Sequence, residues 1–418
     1  MQPSTPINLS TFLNLSSTLP PMLPMTGASP EVAFNVIATM AVSEGSTVPA
    51  SGTFSTLSDF HHIASICIDQ VPGWSSLVTN LTSDIEVKQL LEGLSNQLFK
   101  VTLKSPTVRG SAVPFGTVLF RIYGEHVSSF YDPKFELEVF TGLSELLIGP
   151  KMIASGEGWR IEEYYESVVL KTTSLPNPSI YTQVAAQLGR LHKIHRNEKF
   201  LASHDKETPI SFSRLSQWSE EGLLALDRLP NAAEKRTALR IDEIMAEISA
   251  MRATLEQGFV SGSRTLGWDI VFCHNDLQEN NILLTPQGLK FIDFEYANFN
   301  FQSADIGNFF DEFTMDYIHG EWPFFKFNRG DYPSEEIQRQ FASVYLSEYL
   351  DRPIYESRDG ALISELLESV HVFSQLSHLL WGLWSLVRAQ QQTETFNAFD
   401  FVEYAKFRFE SYWANKRA

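Results

Sequence analysis

Between Val271 and Tyr296 the chain reads V-F-C-H-N-D-L-Q-E-N-N-I-L-L-T-P-Q-G-L-K-F-I-D-F-E-Y, and few folds accommodate that order of apolar and polar residues. Ile270-Val271-Phe272 is a short apolar run that delivers His274 and Asp276 at its end. Asn281-Ile282-Leu283-Leu284 and Leu289-Lys290-Phe291-Ile292 have strand character, and Thr285-Pro286-Gln287-Gly288 between them is a turn signal. A hairpin returns its two ends to one place, so Asn281 and Asp293 are predicted to face the same ion. A plain hairpin with solvated acids would give part of this pattern. It would not call for Asn at +5 and Asp at +17 from Asp276.

The residue types suit one chemistry. H-x-D-x-x-x-x-N followed by a strand ending in Asp is the catalytic-loop and metal-aspartate arrangement of kinase-like phosphotransferases. Asp276 is expected to orient the attacking hydroxyl and take its proton, while Asn281 and Asp293 hold Mg²⁺ on the nucleotide phosphates. Phosphoryl transfer depends mostly on positioning and charge neutralisation, so these few groups can carry it.

With 418 residues the chain has room for two or three units with cores of their own. The formal charge of −18 argues against nucleic acid or an anionic membrane as partner and is easier to reconcile with a cationic substrate. Two cysteines, Cys67 and Cys273, make no disulfide framework and point to a reducing, cytoplasmic setting. No apolar run of about 20 residues occurs, so no membrane span is expected. Residues 1–57 are rich in Ser, Thr, Pro and Ala, and no Lys or Arg precedes Lys88, which disfavours a secretory or transit signal. That stretch is expected to be a poorly ordered extension, with a short helix over Val32 to Val42 as the alternative. The sequons at Asn8, Asn14 and Asn80 carry no weight in a cytosolic chain.

The order of elements beyond it predicts a bilobal α+β protein of protein-kinase-like fold. Residues 58–166 make a small mixed nucleotide-binding lobe: a helix from Asp59 to Pro72-Gly73, strands over Gln97–Leu103, Thr117–Tyr123 and Trp159–Tyr164, and a helix over Lys134–Leu146. Residues 167–418 make a larger, mainly helical lobe, with helices over Gln183–His195, Glu234–Gly258 and Ser364–Arg388. Glu92-Gly93-Leu94-Ser95-Asn96 is a candidate phosphate-covering loop: Gly93 permits close backbone approach, and Ser95 and Asn96 offer donors. An ordinary turn would read the same. Arg121 lies inside an apolar strand, where a charge usually points to solvent. In a lobe of this kind it instead meets the nucleotide phosphates, held by Glu136 on the following helix. His192 and His195 are expected on a solvated helix face near Arg190 and Arg196.

Taken together, these pieces resemble the choline/ethanolamine kinase family from about Asp59 to the C-terminus. The carrying motifs are E-G-L-S-N from Glu92, V-L-F-R-I-Y-G from Val118 and G-P-K from Gly149. To these are added H-N-D-L-Q-E-N-N-I-L-L from His274, F-I-D-F-E-Y from Phe291, D-I-G-N from Asp305 and W-G-L-W from Trp381. D-F-E replaces the D-F-G of ordinary protein kinases, and A-P-E is absent. The resemblance implies ATP-dependent phosphorylation of choline to phosphocholine, the first step of phosphatidylcholine synthesis by the CDP-choline route. It implies Asp276 as base with Gln278 beside it, Asn281 and Asp293 as Mg²⁺ ligands, and Glu295 assisting at the metal or phosphoryl group. Glu163 and Tyr165 are implied at the hinge against adenine, Asp305 as a brace of the catalytic loop, and His274 as a buried structural residue. A homodimer through the segment Asp59 to Leu77 is implied as well. Glu92, Asn280 and Phe313 depart from the family's usual glycine, glycine and tryptophan.

A quaternary ammonium has no hydrogen to donate and is best held by aromatic faces and diffuse negative charge. Trp381 and Trp384, three apart on a helix, share a face. By similarity Glu312, Tyr317 and Tyr404 complete the cage with Asp276. Core packing is the ordinary role of two such tryptophans, and the phosphotransfer motifs tip the reading to substrate contact. Choline is the expected substrate, with ethanolamine or the substrate of an aminoglycoside-type phosphotransferase as alternatives. A protein kinase lacks its activation-segment motifs here, and a dead scaffold would have lost a metal ligand.

Overall fold

The computed structural model describes residues 60–90, 96–105, 107–108, 111–123, 132–260, 265–392 and 399–417. The N-terminal extension, and with it Val32 to Val42, lies outside the described residues. So do Gly93 and Ser95 of the candidate phosphate loop.

Helix α1 (Phe60–Gln70) precedes strands β1 (Ile85–Leu90), β2 (Asn96–Leu103) and β3 (Thr117–Tyr123); α2 (Pro133–Glu145), β4 (Met152–Gly156) and β5 (Trp159–Glu163) follow. These strands form one antiparallel sheet of order β1-β2-β3-β5-β4. Strict alternation drives it: Phe99, Val101 and Leu103 of β2 and Val118, Phe120 and Ile122 of β3 all turn to one face, where Ile63, Ala64 and Cys67 of α1 cover them. Arg121 therefore takes the opposite face. Helix α2 opens on Asp132, whose side chain accepts from Lys134 N, with Pro133 at the first helical position.

After Glu163 the chain leaves this sheet: β6 (Val168–Val169) pairs with β8 (Ile282–Thr285), which pairs with β9 (Gly288–Phe291). Helices α3 (Pro178–Lys193), α4 (Ile210–Arg228) and α5 (Ile241–Val260) precede β7 (Ile270–Cys273), and β10 (Asn298–Phe301) pairs back onto β7. Helices α6 (Gln302–Glu312), α7 (Glu335–Tyr349), α8 (Glu356–Gln391) and α9 (Phe401–Arg417) complete the fold. The long α8 is packed by α9, α6 and α4.

Two close approaches depend on glycine. A Cβ on Gly307 would lie 2.6 Å from Ser374 N, and one on Gly382 would lie 2.2 Å from the Phe409 ring. These glycines let α8 bring its tryptophans against α6 and α9.

The expected helix over Glu234–Gly258 is two helices, Ala232–Ala238 and α5, broken at Arg240, whose φ is 53°. Cys67 and Cys273 are buried and free. Among the described residues no helix is long and apolar enough to cross a membrane.

Candidate active site

The β8–β9 hairpin closes as its turn chemistry requires. Gly288 has φ 107° and Thr285 Oγ1 donates to its carbonyl at 2.8 Å. Ile282 pairs with Phe291, and Ile292 N donates to the Asn281 carbonyl at 3.0 Å, so Asn281 and Asp293 sit at the same end of the hairpin. Asn281 Nδ2 donates to both the carbonyl and Oδ2 of Asp276, at 2.8 and 3.0 Å, leaving Oδ1 as its remaining acceptor. Asp293 holds φ 60° and Asn275 φ 63°, two left-handed non-glycine residues flanking the reactive groups.

The loop that carries Asp276 is held from below. Asp305, fully buried near the start of α6, accepts from His274 N at 2.7 Å, Asn275 N at 2.6 Å and His192 Nε2 at 3.1 Å. Burial by itself would raise this carboxyl, but the bonds and charge of His192, His274 and Asn275 hold it below the usual carboxylate range. The bracing role expected for Asp305 has this geometry. His192 does not lie on a solvated face: it is fully buried, bonded to Tyr345 Oη as well as Asp305. His195 is half-buried on the carbonyl of His192. His274 is buried, with Nε2 on the Ile292 carbonyl at 2.9 Å.

Burial, then the carboxylates of Glu312 and Asp293, pushes the Asp276 carboxyl well above its ordinary value, against the hydrogen bonds from Asn281 and Gln278. Glu295 is raised likewise by burial and by Asp293 and Asp276. Such a concentration of carboxylates calls for positive charge. Its oxygen donors (Asn281 Oδ1, Asp293 and Glu295) are the hard set that suits Mg²⁺.

Across from them, Arg121 Nη1 stands 3.9 Å from Asp293 Oδ1. Its partner is not Glu136. Arg121 Nε bonds Glu162 at 3.2 Å, whereas Glu136 takes Arg160 Nη1 in both oxygens at 2.6 and 2.7 Å. The reason is register: Arg121 faces Arg160 across β3 and β5, so Arg160 stands between α2 and Glu162 and claims the helix glutamate. Glu163 ends β5 and Tyr165 follows it, with their side chains bonded to the peptide groups of residues 149–151. The Glu163 carboxylate accepts from Lys151 N at 3.2 Å and Tyr165 Oη donates to the Gly149 carbonyl at 3.3 Å. Both line a cavity of about 440 Å³ with Lys151, Pro286 and Lys290. Asn96 opens β2 opposite Tyr123.

Tyr296, whose phenol is raised by burial, then by Glu295 and Asp276, belongs to a wall of rings. Trp381 Nε1 donates to Asn308 Oδ1 at 2.7 Å and Trp384 Nε1 to Tyr296 Oη at 3.0 Å. Trp381 meets Trp384 at 5.3 Å and 81°, and Tyr296 at 5.6 Å and 74°. Phe401 and Phe399 carry the ring contacts on to Tyr317 and Tyr404. Tyr317 Oη donates to Glu312 Oε2 at 2.8 Å and lies 3.0 Å from Tyr404 Oη.

Three residues here were not singled out from sequence. Tyr296 ends the quoted F-I-D-F-E-Y. Arg214, buried on α4, donates to the Tyr296 carbonyl at 2.6 Å. Arg408, buried on α9, bonds Glu312 at 2.6 Å. Its position four after Tyr404 on one helix was the available signal.

A family model described as choline/ethanolamine kinase matches residues 87–413. The chain is 30% identical over 339 residues to a human protein named choline/ethanolamine kinase, covering 80% of each. It is 32% identical over 336 residues to probable choline kinase 2 of Arabidopsis thaliana, covering 79% of this chain and 86% of the relative. Among solved structures it is similar to a choline kinase from Cryptosporidium parvum, with TM-score 0.75 and 36% identity over 86% of this chain and 96% of that one.

Proposed function

This chain belongs to the choline/ethanolamine kinase family, and from that premise we propose that it transfers the γ-phosphoryl group of ATP to the hydroxyl of choline, giving phosphocholine and ADP. The observation that carries the proposal is the position of Asp276. Its carboxylate is bonded to Asn281 on the side of Asp293 and Arg121, is close enough to Glu312 to feel its charge, and is close enough to Tyr296 to help raise that phenol. One carboxylate thus stands between a phosphate end and a cation end.

In this reading Asp276 accepts the hydroxyl proton as the oxygen attacks the γ-phosphorus, and Gln278 helps to hold its rotamer. Arg121, steadied by Glu162, meets the phosphates. Asn281, Asp293 and Glu295 would hold Mg²⁺, which when bound neutralises the charge on the transferring group. Gly93, Ser95 and Asn96 cover the phosphates. The adenine lies along residues 163–165 through their peptide groups, since the side chains of Glu163 and Tyr165 are committed to Lys151 and Gly149. Glu136 acts at one remove, by fixing Arg160 and through it Glu162. Tyr296, Trp381, Trp384, Tyr317 and Tyr404 surround the trimethylammonium, with Glu312 as the distant charge. Ethanolamine is the second reading, favoured by the shared family. Self-association through the segment Asp59 to Leu77 completes the proposal, and a mass of one chain by light scattering would overturn that part.

The test is ADP release with choline and with ethanolamine. Expected are turnover favouring choline, loss on chelating divalent ions with recovery on adding Mg²⁺, and a fall of about 10³-fold or more in Asp276→Ala. Turnover of neither amine would sink the proposal.

A further inference from the structure

In the proposed cation end one buried guanidinium, that of Arg408, contacts Glu312, Tyr317 and Tyr404 together. Arg408 Nη2 donates to Glu312 Oε1 at 2.6 Å and to Tyr317 Oη at 3.2 Å, and Nε donates to Tyr404 Oη at 2.8 Å. Tyr317 Oη donates in turn to Glu312 Oε2. The Arg408 and Glu312 side chains are 1% and 2% exposed, so water does not share these bonds. Both Glu312 oxygens are therefore engaged and its charge is balanced at contact distance, while the guanidinium also lies 5.1 Å from the centre of the Tyr404 ring, and Tyr317 and Tyr404 both pack beside Phe399.

Resting on the reading of the site as one for an amino alcohol, we infer that Arg408 is a positioning residue that makes the pocket select a quaternary over a primary ammonium. A primary ammonium brings three N–H donors, each of which must exchange water for an acceptor inside the pocket. With Glu312 and both tyrosine hydroxyls tied into the Arg408 network, that exchange is poorly compensated. A trimethylammonium has no such requirement and is held by ring faces. Arg408 thus turns a carboxylate that would favour any cation into a fixed part of the wall.

The reciprocal side supports the assignment. Arg408 is hemmed in by His378, whose Nδ1 lies 3.5 Å from Nη1, and this imidazole is pushed well below its ordinary value by burial and by Arg408 itself. Among the described residues Glu312 is the carboxylate that pairs with the guanidinium directly, at 2.6 Å.

The experiment compares the choline-to-ethanolamine ratio of kcat/KM in the full-length wild type, Tyr317→Phe and Arg408→Met, with the KM for ATP measured alongside. Tyr317→Phe keeps the ring and the Arg408–Glu312 pair but frees Glu312 Oε2. Its ratio is expected to move about tenfold toward ethanolamine with the KM for ATP unchanged, and Arg408→Met further still. If Arg408→Met does not fold, Tyr317→Phe decides alone. A wild type that favours choline with a Tyr317→Phe ratio within about twofold of it overturns the inference and leaves the kinase reading standing. A wild type that favours ethanolamine does the same, and one that turns over neither amine removes both.

Discussion

Replacing Asp305 by asparagine tests the link between the fold and the site. The carboxylate accepts three hydrogen bonds in full burial, two from the backbone of the catalytic loop and one from His192. An asparagine keeps one oxygen and presents an NH₂ to donors that need an acceptor. Leaving one buried donor unmet costs about 1–3 kcal/mol, and losing the charge from the remaining bonds about 1 kcal/mol each. The expected loss is therefore roughly 3–5 kcal/mol, a large share of a typical stability of about 5–15 kcal/mol. Urea unfolding followed by tryptophan fluorescence would read it as a lower midpoint with an unchanged slope. The sign with pH follows from the depressed carboxyl. Its contribution is fully present above the unfolded value of about 3.9 and fades as pH falls through the lower folded value. The gap between wild type and Asp305→Asn should thus be widest near neutrality and narrow below about pH 4. A loss under about 1 kcal/mol at neutral pH, or a gap that does not narrow with acid, would refute the reasoning.

The ion pairs of Arg121 and Arg160 in the sheet lobe should separate by assay. Glu136→Gln leaves Arg160 short of its bidentate partner and is expected to cost about 3 kcal/mol of stability, while Arg121→Gln should chiefly raise the KM for ATP, about tenfold or more; equal effects of both on ATP would contradict this division. Arg214→Met removes the bond to the Tyr296 carbonyl but strands no carboxylate, since no ion pair of Arg214 occurs among the described residues. The KM for choline should rise several-fold, at a stability cost of about 1–2 kcal/mol, with the KM for ATP unchanged; a change confined to ATP would count against the role of Tyr296 in the wall.

What was legible in the sequence was local. Strand alternation in β2 and β3, the Thr285–Gly288 turn and the long α8 are set by residues adjacent in the chain; the strands and turn lie where the pattern placed them, and α8 contains the expected Ser364–Arg388 but begins at Glu356. Pairings set by sheet register were not legible. Arg160 reaches Glu136 only because β5 lies beside β3, and no spacing within V-L-F-R-I-Y-G announces that. The break at Arg240 is a left-handed residue inside an otherwise helical pattern, so periodicity ran straight through it. His192 is different, because its signal was present. It follows Leu188 by four on α3, on the face that Val184, Leu188 and Leu191 bury, and the neighbouring Arg190 and Arg196 outweighed that spacing.

The charge arrangement links the proposed phosphate end to the proposed cation end. Asp276, Asp293, Glu295 and Glu312 are near enough for Glu312 and Asp293 to raise Asp276, and Asp293 to raise Glu295. The protein answers with arginines at both ends: Arg121 near Asp293, and Arg408 on Glu312 with Arg214 behind Tyr296. Asp276 and Glu295, between them, make no ion pair among the described residues. A carboxylate there becomes an effective base only when further positive charge arrives, and the proposed ligands bring it from both sides, a metal with the nucleotide and an ammonium with the alcohol. Each bound ligand then lowers the electrostatic cost of ionising the group the other needs. Binding of one should tighten the other, and by linkage the factor must be the same in either order. Titrating choline calorimetrically with and without the Mg²⁺ complex of a non-hydrolysable ATP analogue would measure that factor. A coupling that survives in Asp276→Asn at full strength, where the ionisation of Asp276 is removed, would show that it does not arise at that carboxylate.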